Sequence, residues 1–268
     1  MMEKAGVQRL LGLLPGESLR FVKNTIKTVF PTWAVAAAQS TIHAFSPAFG
    51  VDPFADMAAL VKGYDVPTIL DIGANRGDTV LEFVRRFPGA TVHCFEPYPG
   101  VFRQLQKATQ GFANVRASNI AFGERNSVAQ LFLNKADVTN SLLKNEEGIS
   151  QFSPAESVTP VGSVNVSMVT LDRYCAEYNI ERINVLKIDS QGYELNILRG
   201  ACRLLQERRI DIIYLELLFV PLYQGQAFFE DLYAHLKLHQ YKLVGLYNRA
   251  LHTDKSLKWC DGLFVAST

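Results

Sequence analysis

From Pro67 onward, short apolar runs alternate with amphipathic stretches, and this alternation limits the possible folds more than any other feature of the chain. Short apolar runs bounded by turn residues read as buried strands, and apolar residues recurring at i, i+3 and i+4 read as helices. Thr68–Ile72 reads as a strand, and Asp78–Phe87 as a helix stopped by Pro88 and Gly89. Strand Thr91–Glu96, helix PGVFRQLQKAT and strand NVRASNIAF follow, with a further strand at Val128–Leu133. Ser141–Val164 is polar and irregular, and reads as a loop able to cover a site. The pattern resumes with strand-like SMVTLD, helix RYCAEYNI, strand INVLKID, helix YELNILRGACRLLQER, strand DIIYLELLF and helix FFEDLYAHLKLH. The last two runs, YKLVGLYN and DGLFVAS, are close enough to pair antiparallel. Strands alternating with helices predict a parallel α/β sheet covered on both faces.

Residues 1–60 are expected to form a helical extension and 61–268 the α/β domain, because LRFVKNTIKTVF and FADMAALV carry helical spacing. The opening MMEKAGVQRLLGLLPGES is charge-flanked and broken by Pro15, which does not suit a secretory signal. Val29–Gly50 lacks Asp, Glu, Lys and Arg but contains Pro31, Gln39, Ser40, His43 and Pro47. That mixture predicts helices packed on the domain or on a second copy of the chain, as in a homodimer, rather than a membrane span. A net charge of +1 from scattered Lys and Arg gives no basic stripe, so nucleic acid is not an expected partner. Cys94, Cys175, Cys202 and Cys260 lie far apart without a C-x-x-C pair, which predicts reduced thiols and a cytoplasmic setting.

In a parallel sheet, ligands bind beyond the carboxyl ends of the strands. Those ends are Asp71, Glu96, Ser118–Asn119, Asp189 and Glu216, so carboxylates close four of the five. The first strand enters the turn of TILDIGANRGDTV. A dinucleotide fingerprint would place glycine at 73, 75 and 78, whereas the chain has Gly73, Asn75 and Asp78. Asn75 obstructs backbone approach to a pyrophosphate, and Asp78 adds negative charge at a helix N-terminus. A nicotinamide dehydrogenase is therefore disfavoured, and no phosphate-cradling G-x-x-x-x-G-K-[ST] occurs. S-adenosylmethionine carries positive charge and no phosphate, and it suits D-x-G-x-N-x-G. Asp71 is expected to accept hydrogen bonds from its amino group, directly or through water, with Gly73, Asn75 and Gly77 shaping the turn. Glu96, about 20 residues beyond the loop, would grip two ribose hydroxyls, and Asn119 would meet the adenine edge. Asp78, Pro97, Ile120, Ala121 and Asp189 complete the expected cofactor set. The plainer alternative makes Asp71 and Asp78 helix caps and leaves Glu96 solvated.

Taken together and in order, DIGANRGDTV, FEPYP, NIAFGE, VTLDRY, LKIDSQGYELNILRGA, YLELLFVPLYQGQAFFEDL and DGLFV resemble the FkbM family of methyltransferases over roughly residues 68 to 266. The resemblance implies a class I methyltransferase fold, Rossmann-like, with a seven-stranded sheet ending in an antiparallel strand pair. It also implies O-methylation of hydroxyls on sugars, glycans or natural-product scaffolds. It implies nothing about residues 1–60.

Methyl transfer from a sulfonium requires an aligned acceptor and removal of its proton. Asp189, with Gly192 in the turn after it, is the first candidate for base or acceptor anchor, or else it caps the following helix. Glu194 in the first helical turn and Glu216 at a strand end are further candidates, against the readings of a capping carboxylate and a solvated one. Asp189, Glu194 and Glu216 are also hard oxygen ligands, so a bound Mg²⁺ is a possibility without dedicated spacing. His235 and His239, four residues apart, read as a helix surface. Tyr223 is a candidate for acceptor or lid contact, and Ser141 for ordering the covering loop. Two rivals to an O-methyltransferase are an N-methyltransferase and a non-catalytic adenosylmethionine-binding subunit.

Overall fold

Asp52 opens the first helix that can be described, its carboxylate accepting hydrogen bonds from the Phe54 and Ala55 backbone N–H groups at 3.0 and 3.2 Å. The computed structural model describes residues 49–61 and 63–267. Most of the expected N-terminal extension, and the expected dimer contact with it, lies outside the described residues. Residues from Asp52 onward form one compact unit.

The chain runs from helix α1 (Pro53–Leu60) through β1 (Thr68–Ile72), α2 (Asp78–Arg86), β2 (Thr91–Phe95), α3 (Pro99–Thr109) and β3 (Val115–Ser118). Here it departs from the expected single strand over Asn114–Phe122. The Asn119 side chain donates to the Glu96 and Pro97 carbonyls at 2.7 and 2.9 Å and turns the chain out of the sheet. β4 (Ala121–Phe122) then joins a second, three-stranded sheet with β5 (Ser127–Asn134) and β6 (Pro160–Val169) in the order β4-β6-β5. The polar segment from Ser141 therefore ends earlier than expected. β6 begins at Pro160, burying Val166 and Met168 and exposing Asn165 and Ser167, which its polar composition masked.

Helix α4 (Leu171–Glu177) starts within the expected strand SMVTLD, because the Thr170 side chain caps it through Arg173 N–H at 3.2 Å. After β7 (Ile183–Ile188), the long helix expected over 193–208 is two helices, α5 (Glu194–Arg199) and α6 (Cys202–Gln206). The Gly200 carbonyl accepts from the Asp172 N–H at 3.0 Å, and the Asp172 carboxylate caps α6 at the Arg203 and Leu204 N–H groups. A side chain at Gly200 would meet the Gly123 carbonyl oxygen at 2.1 Å, so the break is set by backbone contact. β8 (Ile210–Leu218), α7 (Phe229–Leu238), β9 (Tyr241–Leu251) and β10 (Leu257–Ala266) complete the chain.

The main sheet has seven strands in the order β3-β2-β1-β7-β8-β10-β9. The first five are parallel, and β10 runs antiparallel to both β8 and β9, as the last two apolar runs predict. Alternate residues of β1 serve the two faces. Ile69 packs with Met57 of α1, Val80 and Phe83 of α2 and Leu105 of α3. Leu70 and Ile72 pack with Leu198, Leu204 and Leu232 from the helices of the other face. Burial on both sides is why these strands read as near-continuous apolar runs, and each fully buried Leu or Ile contributes about 1.5–3 kcal/mol. Cys94, Cys175 and Cys260 are buried free thiols and Cys202 an exposed one. Among the described residues, no helix is long and apolar enough to cross a membrane.

Candidate active site

The turn after β1 lies directly against the end of β7. Gly73 has φ +77°, and a side chain there would place its Cβ 1.8 Å from the Asp189 carbonyl oxygen. The Gly73 and Ala74 N–H groups both donate to the Phe95 carbonyl, at 3.1 and 2.9 Å, and the Asp189 N–H donates to the Ile72 carbonyl at 3.0 Å. Three strand ends are thereby drawn together. Above them opens a cleft of about 710 Å³, its open mouth included.

Gly73, Asn75, Glu96, Pro97, Ile120, Ala121 and Asp189 of the expected cofactor set line this cleft. Its charged lining is Glu96, Asp137 and Asp189, and no Lys, Arg or His side chain of the described residues lines it. Glu96 is buried, and its carboxylate accepts from the Tyr98 N–H at 2.8 Å. Burial raises its pKa to about 7, with the backbone N–H groups of Tyr98 and Asn75 opposing. An acid-lined cleft without a phosphate cradle fits a cationic, phosphate-free ligand such as adenosylmethionine.

Four expected cofactor residues stand elsewhere. Asn119 spends its amide N–H groups on the Glu96 and Pro97 carbonyls, shaping the turn that brings in Ile120 and Ala121. Gly77, at φ +101°, is the residue preceding α2, and a Cβ there would press on Leu105 at 3.1 Å. Asp78 is the first residue of α2 and does not line the cleft. Asp71 is fully buried within β1, where its register partner is Lys187.

Lys187 is the residue that sequence reasoning missed. Its ammonium is 3.0 Å from Asp71 Oδ1, donates to the Gly73 carbonyl at 3.1 Å, and lies 3.7 Å from Asp189 Oδ2. Burial alone would lower its pKa, but the Asp71 and Asp189 carboxylates outweigh this and hold the ammonium charged. The signal was a lysine inside the mostly apolar run INVLKI, since a buried strand rarely holds a cation without a partner.

A second cavity, of about 510 Å³, adjoins the first. Phe54, Lys187, Asp189, Tyr214, Glu216, Asn248 and Asp261 are among its lining residues, and Asp189 alone lines both spaces. Asp261 accepts from the Tyr214 hydroxyl and the Asn248 amide, each at 2.7 Å. Glu216 accepts from Gln191 Nε2 at 3.3 Å, and burial together with Asp189, Glu194 and Asp261 raises its pKa well above the ordinary value. Glu194 lines neither space. Its Oε1 accepts from the Ser190 N–H, the Ser190 hydroxyl and the Gly192 N–H, at 2.8, 2.9 and 3.3 Å, so it clamps the turn after β7. Burial raises it to about 7.

Tyr223 and Ser141 both reach this turn. The Tyr223 hydroxyl donates to Gln191 Oε1 at 2.7 Å, and the Ser141 hydroxyl to the Gln191 carbonyl at 2.7 Å. His235 of α7 and His239, the residue just beyond its end, have ring centroids 5.0 Å apart. Among the described residues, no group of three or more His, Cys, Asp and Glu could hold a metal ion, so the Mg²⁺ considered from sequence finds no support.

The chain matches the methyltransferase FkbM domain over residues 71–243. It is 28% identical over 200 residues to the 2-O-methyltransferase NoeI of Sinorhizobium fredii, spanning 72% of this chain and 79% of that one. Over 181 residues it is 26% identical to Methyltransferase 1 of Beauveria bassiana, spanning 64% and 72%. Among solved structures, precorrin-6y C5,15-methyltransferase from Geobacter metallireducens overlaps 80% of this chain and 87% of its own, with a TM-score of 0.43 at 14% identity.

Proposed function

This chain belongs to the FkbM family of methyltransferases, and we propose that it methylates a hydroxyl of a sugar, glycan or natural-product acceptor, with Asp189 as base or acceptor anchor. It is an S-adenosylmethionine-dependent methyltransferase. Bound adenosylmethionine supplies the activated methyl group. Glu96 would take the ribose hydroxyls, Gly73 and Asn75 would admit the methionine part along their backbone, and Ile120 and Ala121 would flank the adenine.

The observation that carries the reading is the position of Asp189. Its carboxylate borders both the acid-lined cleft and the second cavity, which would seat the acceptor. There it can accept the proton of an acceptor hydroxyl as the oxygen becomes a nucleophile. Gln191 Nε2 donates to one of its oxygens at 3.0 Å, the Lys187 ammonium lies 3.7 Å from the other, and the side chain stays 44% exposed, open to an acceptor. The relative named as a 2-O-methyltransferase supports oxygen as the accepting atom. The free thiols fit a reducing compartment and support a cytoplasmic setting.

Calorimetric titration with S-adenosylhomocysteine, with NAD as control and Glu96→Ala alongside, tests the cofactor assignment. Micromolar binding of the first ligand, none of NAD and at least a tenfold loss in the variant are expected. Tritium transfer from labelled adenosylmethionine to a panel of hydroxylated and amine acceptors then tests the substrate class. Transfer to amines alone would sink the hydroxyl reading.

A further inference from the structure

Gln191 holds a backbone conformation that its type does not favour. Its φ of +56° lies in the left-handed region that suits glycine or asparagine, and Gly192 follows at φ +91°. Such a conformation persists where surrounding contacts over-determine it. Held this way, the side chain passes from the cofactor cleft, which Gln191 lines, to the carboxylates bordering the second cavity. Its Nε2 lies 3.0 Å from Asp189 Oδ1 and 3.3 Å from Glu216 Oε2.

The NH₂ end, the donor of the amide, faces Asp189 and Glu216. Oε1 is then left toward Tyr223, whose hydroxyl donates to it at 2.7 Å. Burial, with Glu216, Glu194 and Asp189 adding to it, raises the Tyr223 pKa, so this hydroxyl keeps the proton it donates. The Ser141 hydroxyl fixes the Gln191 main chain from the covering loop.

We infer that Gln191 is a positioning residue, whose amide, oriented by Tyr223, joins the Asp189 and Glu216 carboxyls at the border of the second cavity and opposes the uptake of a proton there. The inference deepens the proposed function and takes from it the meaning of Asp189. Each carboxyl receives one N–H of a neutral donor, which favours its charged form and so opposes the burial and neighbouring charge that favour a proton on Glu216. The other titratable groups facing the pair are Lys187 of β7, Asp71 of β1, Glu194 of α5, Tyr214 of β8, Tyr223 and Asp261 of β10. Of these, Lys187 alone is cationic, and it attends the other oxygen of Asp189.

The test is a carbon-13 NMR titration of the full chain labelled at the Asp and Glu carboxyls, with Asp189→Asn and Glu216→Gln assigning the two resonances. Gln191→Asn suits the left-handed backbone but is one methylene too short to bridge both carboxylates. It should raise the titration midpoint of at least one of them by about one pH unit or more. Gln191→Leu should do the same, and Tyr223→Phe, which frees the amide to turn, should give a smaller rise. Gln191→Asn preserves the test where Gln191→Leu fails to fold, with far-ultraviolet circular dichroism reporting the fold. Midpoints unmoved in the folded Gln191→Asn protein would overturn the inference. Calorimetry of the unmutated chain with S-adenosylhomocysteine separates this from the cofactor assignment: no binding removes the methyltransferase context, while the titration still decides whether Gln191 governs the pair.

Discussion

Replacing Gly73 by alanine probes the contact on which both halves of the site depend. The added Cβ would lie 1.8 Å from the Asp189 carbonyl oxygen and 2.9 Å from its carbon. A tolerable carbon–oxygen approach is about 3.3 Å, so the turn and the β7 end must part by about 1.5 Å. The φ of +77° costs an L-residue about 1–2 kcal/mol in addition. Parting strains the Lys187 bond to the Gly73 carbonyl and the Asp189 N–H bond to Ile72, each contributing about 1 kcal/mol. A total loss of about 3–4 kcal/mol follows, or roughly 6–16 °C in melting temperature at about 2–4 °C per kcal/mol for a domain of this size. Displacing Asp189 by about 1 Å should cost about a hundredfold in methyl transfer, beyond the loss of stability. Differential scanning calorimetry and S-adenosylhomocysteine titration of the variant measure both effects. A melting temperature within 1 °C of the parent, with unchanged ligand affinity, would refute the reasoning from close backbone contact.

Lys187→Met should cost about 3–5 kcal/mol in urea unfolding, because it strands the buried Asp71 carboxylate, and adding Asp71→Asn should recover most of the loss. Single and double variants showing equal losses would mean that packing, not charge, is what Lys187 provides. The buried Glu96 and Glu194 keep their protons to about pH 7, against an ordinary value of 4.5, so between these limits the unfolded chain binds fewer protons than the native one. Stability should therefore fall as pH rises from 4.5 to 7, by up to about 3 kcal/mol per group, and level off above that. Urea midpoints taken from pH 5 to pH 8 follow the decline, and Glu194→Gln should flatten it. Asp189→Asn should slow transfer to a hydroxyl about 10²- to 10⁴-fold, as loss of a general base does, and a loss below tenfold in the tritium assay would favour an amine acceptor.

What sequence could show depended on how far apart the interacting residues lie. Period and punctuation gave β1, α2, β2, α3, β8 and α7 close to their observed ends, since each is decided within its own window. The lining residues Gly73, Asn75, Glu96, Ile120 and Asp189 were legible because strand ends share one edge of a parallel sheet. The pairing of Asp71 was hidden because its partner stands 116 positions away in a register that only the folded sheet defines. The expected single helix across Gly200 split for a similar reason, the close approach of the Gly123 carbonyl from a distant turn. Glu194 was ambiguous rather than hidden, as a carboxylate in a first helical turn reads equally as catalytic or capping, and only the folded turn shows it holding the Ser190 and Gly192 N–H groups.

The turn at Asn119 has a consequence for how this architecture can diversify. β4 pairs with the end of β6 through Ala121↔Met168 and Phe122↔Val169, so residues 123–167 leave and return at one stem. This excursion supplies Asp137, Val138, Asn140, Ser141 and Leu142 to the cofactor cleft, yet no strand of the main sheet passes through it. A loop closed at its own stem can double in length for about 0.6 kcal/mol of closure entropy. Insertions into its exposed turns can therefore reshape the cover over the site while the pairing of residues 144–146 with 222–224 and the Asp71–Lys187 register keep their places.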